Sequence, residues 1–449
     1  MTADSHEGIP KARWVRIIPA TILIYIVAYM DRMNISFAIA GGMNKELHLS
    51  MAGAGLAAGM FFIGYMLLQV PAGHIAEHFS AKVYIFWAIL AWGLVSFLTG
   101  LVRNAPELMV MRFLLGVAEG GVYPALLVLV GKWFPAKEIG RANALFLMSL
   151  PLSTILTNPV SGWIVSRYEW RWLFFLEGGI SLLLILVWVP MISDKPSEAK
   201  WISREEREYL EGTLGAERLE RERAFQAAGR VHGSYKQLLS DKNLWLMVLI
   251  IICYTTGQYG YTLWLPTLLA NLTKMSLGKV GWLTSLPFVA ALGGLYLFGF
   301  LSDRDGNRRL WTALSLAGFA VALLAATMSS RWVWVSYGFL VFTGLFLKCM
   351  QSPFWAMPSL LFPPGICGGA RGVINAVGNL GGFIGPILVG RSVTYSGRME
   401  YGNYALVLAL VVGTLLTFLL PKVTTGRSQD PALPQFVTAL DAKADSKTS

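Results

Sequence analysis

The sequence predicts an all-α membrane protein, with twelve transmembrane helices in two six-helix bundles. Three observations carry that reading. First, the 449 residues are 55% hydrophobic and only 14% charged, with a mean hydropathy of +0.54. A soluble domain carries about 25% charged residues, and one globular core cannot hide this much apolar surface. Second, the apolar residues gather in twelve runs of the length, about 20 residues, that crosses hydrocarbon. The runs neither alternate nor stop at about ten residues, which excludes a membrane β-barrel. Third, one long polar segment divides the runs six and six.

In chain order, residues 1–15 read as a cytoplasmic tail, polar over Met1–Pro10 and then basic with Lys11 and Arg13. The N-terminal bundle, residues 16–193, holds Arg16–Ala40, Ala52–Gly73, Ala81–Val102, Leu108–Gly131, Ala142–Val165 and Leu173–Ser193. The first run is too long for a signal peptide and has no small-x-small cleavage site after it, so an uncleaved anchor is expected. Residues 194–243 form the linker. Its "WISREEREYLEGTLGAERLERERA" predicts a charged helix with acid–base pairs near i,i+4 spacing. The C-terminal bundle, 244–421, holds Leu244–Asn271, Val280–Leu301, Leu310–Met328, Trp332–Met357, Gly372–Tyr395 and Tyr404–Leu420, before a polar tail at 422–449. These ends are placed to about four residues.

Charge orients the chain. Of 37 Lys and Arg, 25 fall on the side of the linker and tails, 9 on the opposite side, and three (Arg32, Arg112, Lys348) inside spans. That asymmetry predicts cytoplasmic termini. It also accounts for the net charge of +11 without nucleic acid as a partner. Cys253, Cys349 and Cys367 all lie in or near spans and suggest neither a disulfide framework nor a metal site.

The halves repeat. "GHIAEHFSAK" after the second span is echoed by "GFLSDRDGNRR" after the eighth. "GRANALF…NPVSG" is echoed by "GARGVINAVGN…GPILVG" at a similar offset. Two related bundles leave a cavity between them, as in alternating-access transporters.

An ionised side chain at mid-bilayer costs about 2.5–3.5 kcal/mol on insertion scales, so the six in these spans point to function: Asp31, Arg32, Arg112, Glu119, Glu177 and Lys348. Asp31 lies about 21 Å along the first helix from Ile17, past the midplane. Arg112 and Glu119 are two turns apart, on one face of the fourth helix. An Arg can hold a carboxylate bidentately. Asp31 and Glu119 can take and release protons as the cavity dries or opens to water. The alternative is a set of salt bridges tying the first helix to the fourth. Glu177 is expected to pair locally, with Arg171. Lys348 is either a second anchor for an anion or the partner of a helix end. The glycines at 372, 378, 381, 382, 385 and 390 lie in an apolar span with no strand before them, which reads as close helix packing rather than a nucleotide loop.

"GFLSDRDGNRR" resembles the loop signature of the major facilitator superfamily. The resemblance implies that Asp303, Arg304 and Arg308 clamp helices on the cytoplasmic side. In the first copy Glu77, His78 and Ser80 replace the pattern's Asp, Arg and Gly, implying a weaker clamp at Glu77. "YMDRMNIS", "RFLLGVAEG", "KWFPAKEIGRANA" and "WRWLFFLEG" further resemble the anion:cation symporter family. "YGYTLWLPT", "GGARGVINAVGNLGGF" and "KARWVRIIP" are similar to its bacterial L-galactonate transporters.

The resemblance implies proton coupling at Asp31 and Glu119. It implies anion binding by Arg32 and Arg112, with cargo contacts from Tyr29, Tyr65, Gln258, Ser352, Trp355 and Asn375. Plain packing is the alternative for Tyr65 and Trp355, interhelical hydrogen bonding for Gln258 and Asn375, and a bond to its own helix for Ser352. The expected protein is a monomeric, multi-pass transporter of the bacterial cytoplasmic membrane, not an enzyme. It imports a sugar acid with protons, needs no cofactor beyond the proton gradient, and has L-galactonate as its expected cargo. D-galactonate, a hexuronate, tartrate or an aromatic acid stay open as cargo, as does a sensor that binds without transporting.

Overall fold

The computed structural model describes residues 11–227 and 235–422. The predicted polar tails, apart from residues 11–15 and 422, lie outside the described residues. Twelve helices are long and apolar enough to cross a membrane: α1 (Ala12–Ala40), α2 (Met51–Gln69), α3 (Ala81–Thr99), α4 (Ala105–Trp133), α5 (Ala136–Arg167), α6 (Trp170–Met191), α7 (Lys242–Thr273), α8 (Leu277–Asp305), α9 (Arg308–Met328), α10 (Val333–Leu361), α11 (Ile366–Ser396) and α12 (Met399–Thr417).

Local chemistry sets the ends. Ser50, Ser80, Asn104 and Asn307 cap α2, α3, α4 and α9 by accepting a backbone N–H three residues on. Gly306 and Gly397 close α8 and α11 at φ +72° and +70°. Three starts differ from expectation by five residues or more. α12 begins at Met399 rather than Tyr404, α5 at Ala136 rather than Ala142, and α11 at Ile366 rather than Gly372, the last two by six. The first turns of α5 and α11 carry Lys137, Glu138 and Arg141, and Arg371, which hydropathy reads as loop although the backbone is already helical. The linker holds the expected helix, Arg204–Ala227. Glu206 on that helix accepts the backbone N–H of Ala12 and of Arg13 at 3.1 and 3.2 Å, so the linker caps α1.

Five spans are interrupted: α1 at Asn34, α4 at Gly121, α5 at Met148, α10 over Leu347–Met350, and α11 at Asn379.

Packing follows the internal repeat. α2 packs on α4 as α8 packs on α10, and α3 on α6 as α9 on α12. The two sets of six meet through α2–α11, through α5–α8, and through the Ile35–Ala40 end of α1 on α7. These seams lie away from the linker. A β-carbon on Gly55 of α2 would come within 2.3 Å of the Pro386 carbonyl, and one on Gly281 of α8 within 2.5 Å of the Asn158 carbonyl. Backbone therefore meets backbone between the halves. One apolar core runs continuously through both seams, including Ile35, Phe37, Ala54, Ile164, Tyr261, Trp264, Val280 and Val389. On the linker side the halves part.

Candidate functional site

Where the halves part, a cavity of about 940 Å³ opens toward the linker side. Eight of the predicted site residues line it: Tyr29, Arg32, Tyr65, Gln258, Lys348, Ser352, Trp355 and Asn375. They arrive from α1, α2, α7, α10 and α11, so both halves contribute. Across the mouth Asn375 donates to Gln69 at 3.2 Å.

Arg32 is 4% exposed. Its Nη2 and Nε reach Glu119 Oε2 at 3.2 and 3.4 Å. Its guanidinium lies 4.5 Å from the ring centre of Tyr65, 5.0 Å from Phe61 and 5.3 Å from Tyr29. This aromatic cradle favours a cation and holds the group at the cavity wall. Glu119 is fully buried behind Arg32, and its Oε1 has no partner. The predicted contact between α1 and α4 is therefore Arg32 with Glu119.

Two expectations about facing are corrected. Asp31 and Arg112 do not line the cavity. Successive helical residues point about 100° apart, so with Arg32 toward the cavity Asp31 points into the N-terminal bundle. There Ser96 of α3 donates to Asp31 Oδ1 at 2.6 Å, and Ser181 of α6 donates to Oδ2. Arg112 is 2% exposed and donates to the backbone carbonyls of Asp31 and Arg32 at 3.4 and 3.0 Å. Those carbonyls lie just before the break in α1. Arg112 thus holds the turn that presents Arg32, and the two Arg and two carboxylates do not converge in the cavity.

Glu177 also differs from expectation. It accepts from Ser161 at 2.8 Å, while Arg171 pairs with Glu46 at 2.6 Å. The fold places Glu177 one turn from Ser181, in the same buried compartment as Asp31.

Lys348 sits in the interrupted segment of α10, 6% exposed, and its ammonium makes no hydrogen bond or ion pair among the described residues. Tyr254 of α7 donates to the carbonyl of the preceding Leu347 at 2.8 Å and supports that turn.

The cavity also recruits residues that the sequence reading passed over: Tyr25, Tyr123, Tyr254, Tyr259, Gln351, Asn379 and Arg371. A signal existed for some. Tyr25 is one helical turn before Tyr29, and Gln351 stands beside Ser352. Arg371 falls just outside the predicted span, and only the tertiary arrangement brings it and Tyr123 in.

The loop clamp is partly as expected. Arg308 at the start of α9 bonds Asp303 at 2.5 Å and Ser302 at 2.9 Å in the last turn of α8, a contact between two consecutive helices. Arg304 is exposed and has no partner among the described residues. Glu77 is exposed and unpaired as well, which corrects its predicted role in this conformation. Around it, Ser80 donates to Asp194, Lys82 N–H bonds Asp194 at 3.0 Å, and Lys132 donates to the Ala76 carbonyl at 2.8 Å. Among the described residues, no cluster of three or more His, Cys, Asp or Glu is arranged to hold a metal.

The sequence profile of the Major Facilitator Superfamily matches residues 21–278 and 268–443. A putative tartrate transporter of Agrobacterium vitis is 31% identical over 428 residues, covering 94% of this chain and 96% of the relative. A probable galactarate/D-glucarate transporter of Escherichia coli, GudP, is 27% identical over 433 residues, covering 91% and 94%. Among solved structures, a bacterial homologue of the human lysosomal transporter Spinster, inward-facing and unoccupied, superposes with a TM-score of 0.74 at 16% identity, over 95% of this chain and 100% of that one. Twelve membrane-crossing helices in repeated halves, a cavity open on one side between them, and a profile match along nearly the whole chain make this multi-pass membrane protein a member of the Major Facilitator Superfamily of transporters.

Proposed function

We propose that the protein imports a sugar-acid or related hydroxylated organic anion together with protons, by alternating access. The observation that carries this reading is the buried pair of Arg32 and Glu119 at the cavity wall. A guanidinium that faces a cavity and already holds one carboxylate can exchange it for the carboxylate of a cargo. Protonating Glu119 weakens its hold and frees Arg32. Binding a proton then favours binding an anion, which is coupling in thermodynamic terms. Asp31 is the second proton site, bound by two hydroxyls and set back-to-back with Arg32 on one turn. Arg112 positions that turn.

The excess of basic residues on the linker side makes that side cytoplasmic, so the cavity is inward-open. L-galactonate, from the sequence resemblance, and the tartrate and galactarate or glucarate of the relatives are the candidate cargoes. Gln258, Ser352, Asn375 and the cavity tyrosines supply partners for hydroxyls.

The test is uptake of labelled L-galactonate, tartrate and galactarate into proteoliposomes, with and without an inward proton gradient. Accumulation above equilibrium of at least one of them, abolished by a protonophore, is the expected result. Uptake that ignores the gradient overturns the coupling. Absence of uptake and exchange for all three overturns the cargo class.

A further inference from the structure

We infer that Lys348 is a second carboxylate anchor on the wall that the C-terminal half gives the cavity, so that the site is built for a dicarboxylate rather than a monocarboxylate. The inference rests on the reading of this cavity as the cargo site.

The lining carries three cations, Arg32, Lys348 and Arg371, and no Asp or Glu among the described residues. Arg371 is exposed near the mouth and reaches the Trp355 carbonyl and Ser359 Oγ, each at 3.4 Å. The two cations held inside are Arg32, on α1 of the first half, and Lys348, on α10 of the second.

Lys348 has three N–H donors and uses none of them on the described residues. A helix end was the alternative partner, and no carbonyl among the described residues accepts from it. An unpartnered ammonium at membrane depth is costly and marks an ion site unless something neutralises it. Its backbone is held in place by the bond from Tyr254 to Leu347, which makes the position a built one rather than an accident of a loose turn.

Charge then selects the cargo. With Glu119 ionised, Arg32 is neutralised and the interior of the cavity, inside the exposed Arg371 at the mouth, holds one net positive charge, on Lys348. With Glu119 protonated the interior holds two. A dianion matches the protonated site and is one charge in excess for the unprotonated one. A monoanion leaves one cation of the protonated site uncompensated. The same proton that frees Arg32 thus favours a cargo with two carboxylates, one for each half.

Galactarate and L-galactonate test this directly. They share a six-carbon polyol chain and differ by one terminal carboxylate. Affinity and counterflow are measured for both in the wild type, in Lys348→Met and in Lys348→Arg. One charge-assisted contact is worth about tenfold to a hundredfold in affinity. The wild type is therefore expected to prefer galactarate by about tenfold or more. Lys348→Met loses that preference while L-galactonate changes by less than about threefold, and Lys348→Arg keeps most of it. A wild type that prefers L-galactonate overturns the dianion assignment while leaving sugar-acid transport standing, and this holds even if neither variant folds. Equal losses of both ligands in Lys348→Met also overturn it, because they make Lys348 structural. A wild type that exchanges neither ligand and no tartrate overturns the cargo reading itself.

Discussion

Replacing Glu119 by Gln separates anion binding from proton coupling, and the structure sets the size of the effect. Arg32 is 4% exposed, Glu119 is fully buried, and they meet at 3.2 Å. Two charges about 4 Å apart at an effective dielectric near 20 attract by about 4 kcal/mol. Deleting one partner of a buried pair costs about 3–5 kcal/mol because the other charge is stranded. Here the rings of Tyr65, Phe61 and Tyr29 recover part of that, at about 0.5–2 kcal/mol for each cation–π contact. The unliganded variant is then expected to be less stable than the parent, by less than that full cost of about 3–5 kcal/mol.

A bound carboxylate restores the missing partner. Anion binding should therefore stabilise Glu119→Gln more than it stabilises the parent, read as a larger ligand-induced thermal shift. In the parent, binding must compete with ionised Glu119, so affinity falls as pH rises and Glu119 loses its proton. In the variant that competition is gone. Affinity at high pH rises by about tenfold to a hundredfold over the parent, a difference of about 1.4–2.8 kcal/mol, and its pH dependence flattens. Counterflow survives and gradient-driven accumulation is lost. Asp31→Asn is the control: it leaves Arg32 with Glu119, so its binding still weakens as Glu119 loses its proton, the dependence that Glu119→Gln abolishes. A parent-like pH slope in Glu119→Gln, or uphill accumulation by it, would refute the exchange of one carboxylate for another on Arg32.

Two other perturbations follow from packing. Gly281→Leu puts side chain where a β-carbon already falls 2.5 Å from the Asn158 carbonyl and 3.0 Å from Pro159 Cα. The α5–α8 seam then cannot close, so binding should hold within about threefold while counterflow drops at least about tenfold; overpacking of this kind costs about 1–3 kcal/mol. Arg13→Ala removes the guanidinium that bonds Glu206 at 2.7 Å and Glu138 at 2.9 Å. Glu206 is fully buried, so the loss should be about 3 kcal/mol. Glu206→Gln in the same chain should recover part of it in thermal unfolding, because the stranded charge is then gone.

How far the sequence reached can be seen residue by residue. Span number, the six-and-six division and the eight cavity residues were legible because a bilayer punishes polar side chains and leaves few of them to choose from. Facing was harder. Asp31 and Arg32 are adjacent and point about 100° apart, and only the packed neighbours Ser96 and Ser181 show that Asp31 is the one turned into the bundle. Arg112 and Glu119 do share a face, as their spacing requires, but that face meets α1 rather than the cavity. The breaks at Asn34 and at Leu347–Met350 contain no proline and were not legible. They coincide with tertiary hydrogen bonds from Arg112 and Tyr254, which a linear reading cannot see. The early starts of α5 and α11 were hidden because charged first turns look like loops to any hydropathy measure.

The distribution of buried charge divides labour between the halves. Asp31, Arg32, Arg112, Glu119 and Glu177 all belong to the first half, and Lys348 alone represents the second. In the proposed mechanism protons are then handled within one bundle, while only the cargo reaches across to the other. The turn of α1 just before Asn34 is where the two meet. On one side it presents Arg32 to the cavity, and on the other it presents Asp31 to Ser96 and Ser181. Immediately beyond the break, Ile35–Ala40 packs on α7 in the closed seam. A change of charge at either acidic group bears on the same few residues, and those residues end in the contact that must part for the opposite side to open. In the proposed mechanism the coupling then lies in the position of one helical turn, held by Arg112, rather than in a chain of conformational changes running through the bundle.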